Sequence, residues 1–306
     1  MEQVIAALIS GTLVAATPLI FAAIGELVVE RSGVLNLGVE GMMLIGAVCG
    51  FAVAFAGYPA SVAILAAALA GAGAALAFGV LALSLAANQY ATGLALTILG
   101  SGLSAFLGHE YGGKSLQSIA KIRVPLLSDV PVLGAFFSQD PLVYLALILP
   151  FGIWWFLNRT KAGLIVRIVG EAPHSAHAIG YRVIRIRYFT TLFGGAMAGI
   201  GGAYLALAYT PLWIEDMTAG RGWIALALVV FAAWSPTRVM LGAWLFGGMA
   251  VAQLFAQGYG IKVPTQLLAA LPYIVTIVAL VIISRNPRTL RLNAPASLAQ
   301  PFRADH

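Results

Sequence analysis

Charge is scarce in this chain. Its 306 residues include 17 Lys and Arg and 11 Asp and Glu, or 9% charged, against about 25% in soluble domains. With 61% hydrophobic residues and a mean hydropathy of +0.95, that shortage excludes a soluble globular domain. It predicts an all-α polytopic membrane protein. Cysteine is scarcer still: Cys49 stands alone, which excludes an intrachain disulfide. No GxxxxGK[ST] stretch occurs, so no phosphate-cradling loop and no ATP hydrolysis are expected of this chain. The Ser, His and Asp residues show no nucleophile-elbow spacing, which argues against an enzyme. The opening Met-Glu-Gln lacks a basic n-region and the apolar run behind it is too long for an h-region, so no cleavable signal peptide is expected. The net charge of +6 is not a nucleic-acid signal, because most of it is needed to set membrane topology.

Long apolar runs are abundant. A membrane-spanning helix needs about 20 mostly apolar residues. Runs of that character cover 4–25, 41–57, 61–86, 91–107, 142–157, 188–209, 239–257 and 266–284, with a shorter one at 222–234. Pro18 marks a candidate kink in the first. Gly195 and Gly199, four apart in GGAMAGIGGA, would let another backbone approach closely. Trp154, Trp155, Tyr209, Trp213, Trp223 and Trp234 fall near run ends, as an interfacial belt requires.

The interval from Asn158 to Arg187 differs from everything around it. Arg159, Lys161, Arg167, Arg182, Arg185 and Arg187 fall inside it against one acid, Glu171. A basic loop between two spans marks the cytoplasmic face. Its middle reads as a short helix: Pro173 suits a first helical position and Gly180 a left-handed residue just past the end. A helix of two turns is not stable alone in water, so it must lie on the membrane surface or on a partner protein. His174 and His177 share a face, but only Glu171 lies near as a third ligand, and a docking surface explains the pair better than a metal. Arg182, Arg185 and Arg187 alternate with Ile184, Ile186 and Tyr188, which suits a helix entering the membrane among lipid headgroups.

With that loop and the basic tail (Arg285, Arg288, Arg291, Arg303) on the cytoplasmic side, parity constrains the rest. The stretch 108–141 falls outside, Asn88 inside and Tyr58 outside. Both ends of the chain are cytoplasmic only if Glu26–Glu40 itself crosses, giving about ten segments, one of them short and discontinuous. A charged, glycine-interrupted crossing is tolerated only inside protein or along a cavity, and in transporters such segments point to the pathway. Glu26, Glu30, Arg31 and Glu40 would then form a buried polar cluster. The alternative is a short loop at the membrane surface.

Two motifs carry a family resemblance. Gly170-Glu171-Ala172-Pro173, followed by Ala176, Ala178 and Gly180, resembles the cytoplasmic coupling loop of ABC-importer permeases that take up simple sugars, branched-chain amino acids and nucleosides. Glu26 to Ala47, ELVVERSGVLNLGVEGMMLIGA, is similar to the nucleoside- and purine-type permeases of that branch. The resemblance runs from about Thr17 to about Ile283. It implies a type II ABC-importer-like permease fold, with one transmembrane domain over 1–290, a coupling loop at 158–187 and a cytoplasmic tail at 291–306. It also implies a bacterial inner-membrane location and three partners: a second homologous permease in a heterodimer, ABC ATPase subunits, and a periplasmic or lipoprotein binding protein. The ATPase would use ATP and Mg, and this chain would bind no cofactor. Gly170, Glu171, Pro173, His174, Ala176, Ala178 and Gly180 would couple to the ATPase, with Glu171, His174, Ala176 and Ala178 on the docking face. Glu26, Glu30, Arg31, Asn36, Gly38, Glu40 and Gly41 would form the pathway motif, with Asn36-x-Gly38 as an intramembrane turn. The implied cargo is a nucleoside or purine. A ribose-like sugar is the near alternative, and a stand-alone secondary transporter the distant one.

Overall fold

The computed structural model describes residues 2–125, 128, 130, 132–258, 270, 274, 275, 278 and 293–303. The expected span 266–284, the turn 258–264 and the basic residues Lys262, Arg285, Arg288 and Arg291 lie wholly or largely outside the described residues. Among the described residues the order is α1 (Glu2–Arg31), α2 (Val39–Phe55), α3 (Ala60–Gly79), α4 (Gln89–Gly108), β1 (Ile122–Arg123), β2 (Ser138–Gln139), α5 (Pro141–Arg159), α6 (Lys161–Glu171), α7 (Pro173–Ala178), α8 (Val183–Tyr204), α9 (Arg221–Phe231) and α10 (Pro236–Gly258). Wider π-helical turns extend α3 through Val80–Ser84 and α8 through Leu205–Tyr209. Counting these extensions, six helices are long and apolar enough to cross a membrane: α1, α3, α4, α5, α8 and α10. Two further apolar helices, α2 and α9, are shorter.

The polar breaks read from the sequence become caps. Asn88 accepts a hydrogen bond from the Ala91 N–H and starts α4. Asp140 accepts from Leu142 and Val143 ahead of Pro141 and starts α5. Each satisfies a backbone donor that a helix start leaves open. β1 and β2 pair antiparallel, Ile122 with Gln139 and Arg123 with Ser138.

α1 is the centre of the molecule. Every residue from Ala15 to Glu30 is buried, as befits a helix apolar all round. α8 is the second hub, and its glycines explain why. A Cβ on Gly195 would collide with Ala75 and Gly71 of α3, one on Gly199 with the Ala67 carbonyl, and one on Gly202 with the Met43 carbonyl of α2. Gly25 of α1 meets Gly194, and Gly46 of α2 meets Gly199. The small-residue stripe therefore receives three helices, where the sequence indicated one close approach.

The structure corrects the expected break at Glu26. α1 runs uninterrupted for 30 residues, about 45 Å at 1.5 Å per residue, and crosses once. Glu26, Glu30 and Arg31 do not end it, because protein groups rather than lipid surround them. The non-helical stretch is Ser32–Gly38, largely buried, which leads into α2.

A second correction follows. The start of α1 lies with the 112–140 connection: Gln139 Nε2 donates to Ser10 Oγ at 2.8 Å, and Glu2 and Gln3 line a cleft with Ser128 and Ser138. The other end of α1 meets α6 and the segment Asn293–Arg303, where Arg31 donates to the Asn293 carbonyl at 2.9 Å. Residues 2–10 and 293–303 thus occupy opposite faces, and the expectation of both ends on one face does not hold. A single uninterrupted first crossing is the reason.

Candidate functional site

The first constellation sits midway through the helix stack. α9 is only 11 residues long and begins beside Ala15 and Leu19, half-way along α1. α2 also begins inside the stack. Glu40, in the first turn of α2, joins the two. Its carboxylate accepts from Thr218 Oγ1 at 2.6 Å, from the Gly220 N–H at 2.8 Å and from the Gly222 N–H. Gly222 has no side chain because Glu40 backbone atoms occupy that space. A charge at mid-membrane costs roughly 2.5–3.5 kcal/mol on insertion scales. Hydrogen bonds to a charged group contribute about 1.5–3 kcal/mol each, so three of them offset that cost. The positive end of the α9 dipole adds to them.

The neighbouring residues of the expected motif converge on the same core. Glu26 accepts from the Asn36 N–H at 3.0 Å. Asn36 Oδ1 accepts from the Gly38 N–H at 2.9 Å, closing the expected turn. Gly38 lies in this turn, but its φ of −82° is open to any residue. It is glycine because Leu96 and Asn36 fill the Cβ position. The bend belongs to Gly33, with φ +87°, a conformation favouring glycine. Gly41 packs backbone to backbone on Gly100 of α4. Glu30 and Arg31 both engage the turn between α9 and α10: Trp234 Nε1 donates to Glu30 at 2.6 Å, and Arg31 Nη2 donates to the Trp234 carbonyl at 2.8 Å. Trp234 and Trp213 are therefore buried packing residues rather than belt residues, whereas Trp154 and Trp155 are exposed.

The second constellation is at the Arg31 end of α1. Pro173 opens α7, as the sequence indicated. Gly180 follows its end with φ +96°, and the Gly180 N–H bonds the His177 carbonyl at 2.9 Å. The expected docking face needs correction. Ala176 is fully buried and packs with Val169, Val183 and Phe302. Gly170 is buried too, with the Arg31 carbonyl where its side chain would be. The exposed face carries Glu171, His174, Ser175, His177, Ala178 and Ile179, and Ile179 is 69% exposed. The rings of His174 and His177 lie 5.1 and 5.7 Å from that of Phe302. Among the described residues no three His, Cys, Asp or Glu side chains gather as a metal site.

Three residues at this end were not singled out for this role. Arg187, expected among headgroups, is fully buried. It donates to the Ser32 carbonyl at 3.1 Å, the Gln300 carbonyl at 3.1 Å and Ser297 Oγ at 3.1 Å. Ser297 and Phe302 come from the segment read as a cytoplasmic tail. A helical reading of α8 offered one signal for Arg187, since it shares a face with Thr191, Gly194 and Ala198, all buried.

A stack of apolar helices, six of them long and apolar enough to cross a membrane, with the carboxylates of Glu26, Glu30 and Glu40 buried inside it, marks a polytopic integral membrane protein. Comparison with known proteins agrees. Residues 8–282 match the family described as branched-chain amino acid transport system, permease component, and the chain belongs to that family. It is similar to a putative glucose ABC transporter permease of Haloferax volcanii, 37% identical over 97% of each chain. It is also similar to a nucleoside ABC transporter permease of Lactococcus lactis, 35% identical over 89% of this chain and 90% of the relative. A guanosine ABC transporter permease of Bacillus subtilis is 35% identical over 91% and 92%. The chain is therefore an ABC transporter permease component.

Proposed function

We propose that this chain is one of two homologous permease subunits of an ATP-driven importer in the plasma membrane. It forms part of the pathway for a small polar solute, a nucleoside or purine base, handed over by an extracytoplasmic binding protein. A separate ATPase subunit, using ATP and Mg, docks on α7. The observation that carries this reading is α7 itself. It is a six-residue helix, too short to stand alone, braced from within and presenting Ile179 outward. The surrounding Arg159, Lys161, Arg182 and Arg185, all but Arg182 on α5, α6 or α8, support a cytoplasmic position for this face by the positive-inside rule. The face carrying residues 2–10 and 112–140 is then extracytoplasmic.

The test is capture of the ATPase. Ile179→Asp places a charge in the docking face without touching a span. It is expected to reduce ATPase pull-down and uptake at least tenfold while insertion stays normal. Wild-type capture by this variant would remove α7 from the interface.

The cargo rests on the nucleoside and guanosine relatives. The glucose relative, at 37% identity, favours a sugar as the second reading. In uptake competition, nucleosides or purines are expected to inhibit strongly and glucose or ribose weakly. The reverse order selects the sugar.

A further inference from the structure

We infer that the segment Asn293–Arg303 is a built-in brace for α7, with Ser297 and Phe302 as positioning residues for coupling. The inference rests on the reading of α7 as the ATPase-docking helix. The segment contacts α1, α6, α7 and α8 and the bend at Gly33. Ser297 contacts the Gly170 carbonyl twice, through its N–H at 3.0 Å and its hydroxyl at 2.6 Å. The Ala299 N–H bonds the Gly33 carbonyl at 3.2 Å. Arg187 of α8 holds Ser297 and Gln300 on one side and Ser32 on the other. Phe302, 5% exposed, completes the apolar wall behind Ala176 with Val169 and Val183.

Its mechanical meaning follows from the size of α7. Two turns have almost no intrinsic stability, so the rigidity of α7 comes from what lies behind it. α6 and α8 supply Val169 and Val183, and the braced segment supplies the third wall. The same segment bonds to Gly33, the bend at the head of the non-helical stretch Ser32–Gly38. A displacement of α7 therefore reaches that stretch, and through Asn36 and Glu26 the core, by way of Ser297 and Arg187. Stiffness of α7 and its coupling to transport are separately measurable.

The first measurement needs only the purified permease. Amide exchange over 174–181 is expected to be at least tenfold faster in Phe302→Ala, with the α1 amides over Leu13–Ile24 unchanged, and Phe302→Leu should restore most of the protection. The second uses the assembled complex with ATPase and binding protein. Phe302→Ala is expected to keep basal ATP hydrolysis within twofold while transported solute per ATP falls at least fivefold, and Phe302→Leu should recover it. Unchanged exchange in Phe302→Ala overturns the brace, and so does an unchanged transport-to-hydrolysis ratio. Faster exchange in the permease together with wild-type ATPase capture by Ile179→Asp keeps the brace but removes the docking role of α7.

Discussion

Glu40→Gln is expected to lower uptake at least tenfold at equal levels of inserted protein. The carboxylate takes three donors, two on Oε1 and one on Oε2. An amide has one oxygen, so its NH2 group must face either the Gly222 N–H or the pair formed by Thr218 and Gly220. A buried donor left unmatched costs about 1–3 kcal/mol. Loss of the charge at the α9 N-terminus removes up to roughly 2 kcal/mol more in a buried geometry. Each 1.4 kcal/mol is about a factor of ten in an equilibrium, so the junction between α2 and α9 loosens by more than that factor. Glu40→Asp keeps the charge but is one methylene short, and should fall between the two. Uptake into membrane vesicles, normalised to inserted protein, is the measurement. Uptake by Glu40→Gln within twofold of wild type would mean that the two half-length helices need not be held together.

Gly199→Val should give no folded protein. The side chain would meet the Ala67 carbonyl and the Gly71 backbone of α3, while Gly46 of α2 already lies against Gly199 from the other side. Overpacking typically costs about 1–3 kcal/mol when side chains can rotate away. Here the obstacles are backbone atoms of α3, so α3 and α8 can only separate. In lipid, tight backbone packing through small residues is itself a main source of helix association. Gly73→Val is the control, because on the same α3 nothing lies within 4 Å of an added Cβ. The monodisperse yield in detergent should drop at least tenfold for Gly199→Val and stay at the wild-type level for Gly73→Val. Equal yields would show that the stripe is merely permissive.

Much of this was legible because it depends on neighbours in sequence. Pro173 and Gly180 delimit α7 through local backbone chemistry, and Asn88 and Asp140 cap α4 and α5 in the same way. What failed depended on distant groups. Glu26, Glu30 and Arg31 read as the end of a span because hydropathy scores a charge against lipid. Their actual partners are Asn36, Trp234 and Asn293. Arg187 read as a headgroup ligand for the same reason, although its acceptors lie 155, 113 and 110 residues away. Ala176 looked like a docking contact because small residues suit close approach. The approach is real, but the approaching group is Phe302 of the same chain. The placement of residues 2–10 relative to 293–303 was misjudged because Glu26–Glu40 was read as a crossing of its own, whereas Glu26–Arg31 continues α1.

The three hydrogen bonds of Arg187 also set a timetable. Ser297 follows Arg187 by 110 residues, and at about 5–20 residues per second of synthesis the arginine waits on the order of 10 s for it. During that interval its guanidinium has Ser32 but neither Ser297 nor Gln300, and α7 lacks the wall supplied by Phe302. A nascent chain therefore cannot complete the packing behind α7 until the segment Asn293–Arg303 has left the ribosome.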